Sequence, residues 1–297
     1  MKGESARLWR HALAPCRRIH VYTVDPGAHA VATALVPLIR TMGRLGAWFA
    51  EGWAAANDPG CRAAGEIETL VSPDETLLMG SQTNFARTRA VLRWAAQAGV
   101  RSIFVFDHWK NFAEHFESGP LPDMIVVPDE LARRLLLAAT GAEAASRVQV
   151  LPHLALEAAV ERVRSWGSIG DSGTIGLLLD PTEPGDGLGY DWRSTLAAAA
   201  LAARPMDKRI LVKPHPRQDA YAVAQALLAW CVRGTRYEIY QGDTEHLIAM
   251  AEEIWGMTTI ALNIALAAGK TVRSFQVGRT AAGERASNAH IEPYVVR

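Results

Sequence analysis

"RIHVYTVDPGAHAVATALVPLIRTMG", residues 18–43, decides the architecture. A short strand-forming run ends at Val24, Asp25-Pro26-Gly27 punctuates the chain, and an apolar helical run follows to Gly43. The same order recurs along the sequence. "GAWFAEG" (46–52) and "TLLMGSQ" (76–82) read as strands. The helix "TNFARTRAVLRWAAQAG" (83–99) follows the second of them, with Gly99 placed for a left-handed cap. "SIFVFDHW" (102–109), "DMIVVPDELARRLLLAATG" (123–141) and "RVQVLPHLALEAAVERVRSW" (147–166) continue the series. Short apolar strands alternating with amphipathic helices predict parallel sheets with crossover helices.

"GSIGDSGTIG" (167–176) interrupts this pattern with Gly and Ser, and the pattern restarts with "TIGLLLD", "RILVKPHP", "YEIYQGD", "EEIWGMTT" and "TVRSFQV". The predicted fold is therefore α/β, with two Rossmann-like domains of parallel strands: 1–168 on the acceptor side and 169–297 on the nucleotide side. Ligands of such sheets bind outside the carboxyl ends of the strands. A cleft between two such domains is the expected ligand site, and the informative residues should lie just after strands.

Composition sets limits on partners. The 297 residues are 49% apolar and 21% charged, an ordinary globular balance. Lys plus Arg (31) equals Asp plus Glu (31), so no global field draws the chain to nucleic acid, and any anion must be held locally. Cys16, Cys61 and Cys231 lie far apart, which argues against a disulfide framework or structural zinc and fits a reducing, cytoplasmic setting. The first 18 residues are basic but lack the apolar core of a secretory signal. No apolar run reaches the ~18–20 residues of a membrane-spanning helix.

Four stretches carry candidate chemistry. In "RILVKPHPRQD" (209–219), Pro214 and Pro216 bracket His215 at a strand end and preset its backbone, while Lys213 and Arg217 flank it as cations. This grouping suits a phosphate, with the imidazole as a directional donor. In "EEIWGMTTIALNIALAAGKTV" (252–272), Thr258 or Thr259 caps an apolar helix that carries Asn263. Its N-terminus offers free N–H groups to an anion. In "FVFDHWKNFAEHF" (104–116), Asp107 and His108 are candidates for general-base work, and Trp109 for stacking on a sugar ring. Asp107 could instead cap the following helix. Asp25, on the first strand-to-helix turn, is the second candidate base. Ser81, Gln82 and Asn84 form a polar strand end suited to a substrate or a helix cap. "DPTEPGDGLGYDW" (180–192), with Asp180, Glu183 and Asp186, reads as a flap.

The "KPHP" strand end and the Thr-Thr cap before an Ala-rich helix, set in two Rossmann-like halves, resemble GT-B glycosyltransferases. The likeness is to bacterial surface-polysaccharide enzymes: capsule Kdo transferases, sialyltransferases and CDP-glycerol glycerophosphotransferases. His215–Pro216 matches the His-Pro motif that binds nucleotide phosphate in the sialyltransferase-like groups, and Thr258–Thr259 loosely matches their Ser-Ser or Ser-Thr motif. Residues 102–130 also look like GT-B-like proteins related to nucleotide-sugar epimerases. The acidic-pair-Gly triplet that carries the sialyltransferase carboxylate is missing from the first half.

The resemblance implies transfer of a sugar or polyol phosphate from a nucleotide-activated donor to a glycan or glycolipid acceptor, the latter reached by peripheral association with a membrane. The nucleotide sugar is a substrate and no cofactor is expected. With no Asp-x-Asp pair in the chain, the expected chemistry is metal-independent. A nucleotide-sugar 2-epimerase or hydrolase, and a non-catalytic nucleotide or glycan sensor, are the alternatives. The sequence leaves the oligomeric state open.

Overall fold

The computed structural model describes residues 3–167, 173–182, 191–203, 208–231, 236–276 and 289–296, without the side chains of 229–231. Two compact units are present, Met1–Ala158 and Ala159–Arg297. The helix Leu154–Ser165 runs across this division. Residues 168–172 of the Gly/Ser stretch lie outside the described residues, as do Glu183 and Asp186 of the expected flap.

Unit 1 holds seven strands: β1 Ile19–Thr23, β2 Leu45–Ala50, β3 Arg62–Ala63, β4 Thr76–Gly80, β5 Arg101–Val105, β6 Met124–Val127 and β7 Val148–Val150. All pairings are parallel, in the order β3-β2-β1-β4-β5-β6-β7. Every residue of β1 and β4 is buried, as expected of central strands covered by helices on both faces. Gly80 ends β4 because helix Pro26–Thr41 crosses it at contact: a Cβ there would stand 2.6 Å from the Ala28 Cβ. Gly99 takes the left-handed C-cap that its position predicts (φ 69°).

The N-terminal segment has no assignment from sequence, yet Gly3–Leu13 is a helix. Trp9 and Leu13 are buried in the core of unit 1, and the Trp9 indole donates to the Pro152 carbonyl (2.8 Å).

Unit 2 holds β8 Thr174–Leu178, β9 Arg209–Lys213, β10 Arg236–Ile239, β11 Glu253–Gly256 and β12 Thr271–Ser274, all parallel in the order β10-β9-β8-β11-β12. Trp192, Leu196, Ile210, Val212, Val223 and Trp255 are central to its core. In both units the strand order reverses beside the first strand, between β1 and β4 and between β8 and β11. Such a switch point opens a crevice at the carboxyl ends, and it is where doubly wound sheets receive ligands. The α/β fold with two Rossmann-like units matches the sequence reading.

Candidate functional site

Most residues singled out in the sequence lie just past the carboxyl ends of strands at or beside these two switch points. In unit 2, β9 delivers His215. Its Nδ1 accepts the Arg217 amide (3.1 Å), so the ring proton resides on Nε2. Burial, reinforced by the nearby Arg217 charge, pushes its pKa down to about 4. His215 is thus a neutral imidazole at pH 7, with an oriented Nε2–H donor. The adjacent cations differ in their engagement. The Lys213 ammonium donates to the Gly242 carbonyl (2.5 Å) and lies 5.8 Å from the centre of the Tyr240 ring, while Arg217 is exposed.

On the other side of β8, β11 leads into the Thr258–Thr259 turn. Thr259 is the N-cap of helix Ile260–Ala267, and its hydroxyl accepts the Ala261 amide at 3.4 Å. Thr258 is committed differently: both its amide (2.8 Å) and its hydroxyl (2.7 Å) donate to Asp180 Oδ2. Asn263 is buried within the same helix, 6% exposed. Asp180 is not part of a mobile flap: it is 6% exposed, stands two residues past β8, and fixes the start of the Thr258–Thr259 turn.

Unit 1 repeats this clasp. Asp25 Oδ2 accepts the Thr83 amide (2.6 Å) and hydroxyl (2.9 Å) across the β1/β4 switch point. Asp25 is therefore engaged as a clasp on a backbone N–H, and not poised as a free base. Both clasp aspartates stand two residues past the first strand of their unit and precede a proline, Pro26 and Pro181. An Asp-Pro just past the first strand of each unit was present in the sequence and is the signal by which the clasp role of Asp180 could have been read.

Asp107, two residues past β5, neither caps the helix after it nor stands open to solvent. Its Oδ1 accepts the Ser81 hydroxyl, and its Oδ2 lies against Gly27 in the first turn of helix Pro26–Thr41. A carboxylate there is favoured by the helix dipole. His108 Nε2 approaches Asp107 Oδ1 at 3.7 Å, while its Nδ1 accepts the Lys110 amide (3.4 Å). His153 Nδ1 accepts the Leu156 amide, so its Nε2–H donates to the Asp107 carbonyl (3.2 Å). Burial lowers the pKa of both histidines, more than the Asp107 charge raises it. His115 packs among Phe85, Phe104, Phe106 and His108, fully buried, with its pKa pushed down to about 3 by burial.

Three expected substrate contacts have structural roles instead. Trp109 is 5% exposed and its indole donates to Asp129 Oδ2 (2.8 Å), so its rings pack in the core and present no stacking surface. Asn84 caps helix Phe85–Ala98, its side chain accepting the Arg87 amide (3.1 Å). Ser81 is buried and committed to Asp107. Gln82 is 4% exposed and neither its Nε2 nor its Oε1 has a protein partner. Among the described residues, no cluster of three or more His, Cys, Asp or Glu is placed to hold a metal ion, and no helix is long and apolar enough to cross a membrane.

Two Rossmann-like units with these strand orders match a GT-B-like fold. Solved structures similar to this chain include the UDP-GlcNAc 2-epimerase of Methanocaldococcus jannaschii, at 13% identity and a TM-score of 0.61 over 94% of this chain and 88% of that one. The Staphylococcus aureus MnaA–UDP complex is similar at 12% identity and a TM-score of 0.64, over 95% and 84% of the two chains. A glycosyltransferase from Rickettsia africae is similar at 11% identity and a TM-score of 0.53, over 88% and 80%. No protein-family model and no curated protein matches the sequence. At these identities the likeness establishes the fold.

Proposed function

We propose that this protein is an enzyme acting on a nucleoside-diphosphate sugar, with unit 2 binding the diphosphate and the glycosyl group passing to the hydroxyl of a glycan or glycolipid acceptor. The observation that carries the reading is His215. It is a neutral imidazole whose Nδ1 is taken by a backbone amide, which leaves Nε2–H as a fixed donor at the switch-point end of a parallel sheet. The N-terminus of helix Ile260–Ala267, capped by Thr259, follows the second strand at that crevice. A preset donor and a helix N-terminus both stabilise charge that develops on a departing phosphate. UDP in the Staphylococcus aureus complex, a protein of the same fold, supports a uridine nucleotide as the first one to try.

The acceptor-side role falls to Asp107 with His108. The Ser81 hydroxyl and the close approach of the first turn of helix Pro26–Thr41 hold the carboxylate in one place. That placement fixes it where a proton is to be taken.

A second reading, nucleotide-sugar 2-epimerisation, is favoured by the 2-epimerase structures at TM-scores of 0.60 to 0.63.

The test begins with UDP titration. His215→Ala should weaken binding about 10- to 100-fold, the loss of one hydrogen bond to a charged group. Unchanged affinity would remove the phosphate role of His215. UDP-sugars incubated without acceptor and followed by NMR then separate the readings. A 2-epimer or free sugar marks the epimerase, whereas consumption only with acceptor marks transfer. Failure of UDP, CDP and GDP to bind at all would overturn both.

A further inference from the structure

The two phosphate-facing elements of unit 2 follow different strands, with β8 between them, and a hydrogen-bonded strut joins them. The His215 amide donates to Gln218 Oε1 (2.6 Å), and the Gln218 amide donates back to the His215 carbonyl (2.8 Å). Gln218 Nε2 donates to the Asp180 carbonyl (3.2 Å), and the Asp180 carboxylate accepts the amide and hydroxyl of Thr258. The path runs from the loop after β9, over the end of β8, to the turn after β11.

Each link has a defined polarity. The Gln218 side chain acts as acceptor toward one loop and donor toward the next, which a carboxylate of the same shape cannot do. Asp180 is 6% exposed, and its Oδ2 serves both Thr258 groups. Because the Thr258 amide is committed to Asp180, the anion-binding groups of this turn begin one residue later, at the capped start of helix Ile260–Ala267. The strut thus fixes both the separation of the His215 donor from that helix and the register at which the helix meets a ligand.

We propose that Asp180 and Gln218 are positioning residues for the diphosphate: neither touches it, and together they set the geometry in which His215 and the Thr259 cap hold it. The inference rests on the nucleotide reading above. Unit 1 has the same clasp, between Asp25 and Thr83, with the Asp107 carboxylate at the first turn of its first helix after β1.

The experiment compares UDP with uridine by NMR titration of the full chain, for wild type, Asp180→Ala, Asp180→Asn, Gln218→Ala and Gln218→Glu, with circular dichroism to establish that each is folded. Asp180→Ala and Gln218→Ala should weaken UDP about tenfold while changing uridine affinity less than about threefold, because the phosphate contacts alone lose alignment. Asp180→Asn keeps an acceptor for Thr258 and should recover most of the UDP affinity. Gln218→Glu keeps the acceptor for His215 but loses the donor to the Asp180 carbonyl, and should behave as Gln218→Ala does.

Equal loss of UDP and uridine would reduce both residues to general scaffold and overturn the inference. So would a silent Gln218→Glu. If Asp180→Ala does not fold, the Asn and Glu variants still decide. Wild type that binds no nucleotide overturns the parent reading and this inference with it, whereas wild type that binds beside insensitive variants overturns the inference alone.

Discussion

Replacing Gly27 by Ala tests the approach of the Asp107 carboxylate to the first turn of helix Pro26–Thr41. Gly27 lies in the first turn of helix Pro26–Thr41 with no positive φ, a position at which Ala ordinarily stabilises a helix by up to ~1 kcal/mol. Here a Cβ would stand 1.8 Å from Asp107 Oδ2 and 3.0 Å from its Cγ, so the carboxylate must swing away. That movement breaks its bond from the Ser81 hydroxyl, worth about 1.5–3 kcal/mol for a charged acceptor, and draws it off the helix N-terminus, worth about 0.3–1 kcal/mol. Against the gain in helix propensity, the expected net destabilisation is about 1–3 kcal/mol. Urea denaturation of wild type, Gly27→Ala, Asp107→Ala and the double variant measures it. With Asp107 already truncated no clash remains, so Gly27→Ala should become neutral or stabilising by up to ~1 kcal/mol. The reversal of sign is the discriminating result. Additive effects in the two backgrounds, or a wild-type chain stabilised by Gly27→Ala, would refute the placement.

The remaining expectations concern individual side chains. Nitrogen NMR should find His215 as the Nε2–H tautomer at pH 7, titrating near pH 4. Its folded pKa lies below the unfolded ~6.5, so its contribution to stability is complete above that value and is lost as the pH falls toward 4. The difference in acid-side slope between wild type and His215→Ala measures that loss. Asp107→Asn should leave UDP affinity unchanged and lower turnover about 10²- to 10⁴-fold, read in a single-turnover assay; full turnover would end the base assignment. Trp109→Phe should cost about 1.5–3 kcal/mol in denaturation, the bond to the Asp129 carboxylate, and leave turnover untouched.

What was legible in the sequence follows from what is local. Strand and helix runs depend on neighbouring residues, so "RIHVYTV" and "RILVKPHP" announced β1 and β9, and Gly99 announced its own cap. The proline bracket likewise gave the fixed histidine. Roles set by contacts between distant residues were not legible. Trp109 and Asp129 are 20 positions apart, Ser81 and Asp107 are 26 apart, and Asp180 and Thr258 are 78 apart. A Trp after a strand end looks the same whether its indole meets a sugar or a buried carboxylate. The N-terminal helix was not legible for a similar reason. Its amphipathic face is short, and it becomes a structural element because Ala6, Trp9, Ala12 and Leu13 meet the core of unit 1.

The two units differ in which charge the switch point holds, and this difference argues for the division of labour. Both units fasten the first strand to the strand across the reversal through an Asp-Pro carboxylate and a threonine. In unit 1 the helix that follows β1, which a Rossmann unit ordinarily offers to a phosphate, already has the Asp107 carboxylate at its first turn. A diphosphate arriving there would meet a like charge in a partly desolvated place, and like charges in such sites are strongly disfavoured. In unit 2 the groups at and past the ends of β9 and β11 include a neutral imidazole donor, the cations Lys213 and Arg217 and a capped helix start. The Asp219 carboxylate accepts the Tyr221 amide, and the Asp180 carboxylate is turned onto Thr258. Since the whole chain carries no net charge, this local contrast supports the proposal that unit 2 holds the anionic donor.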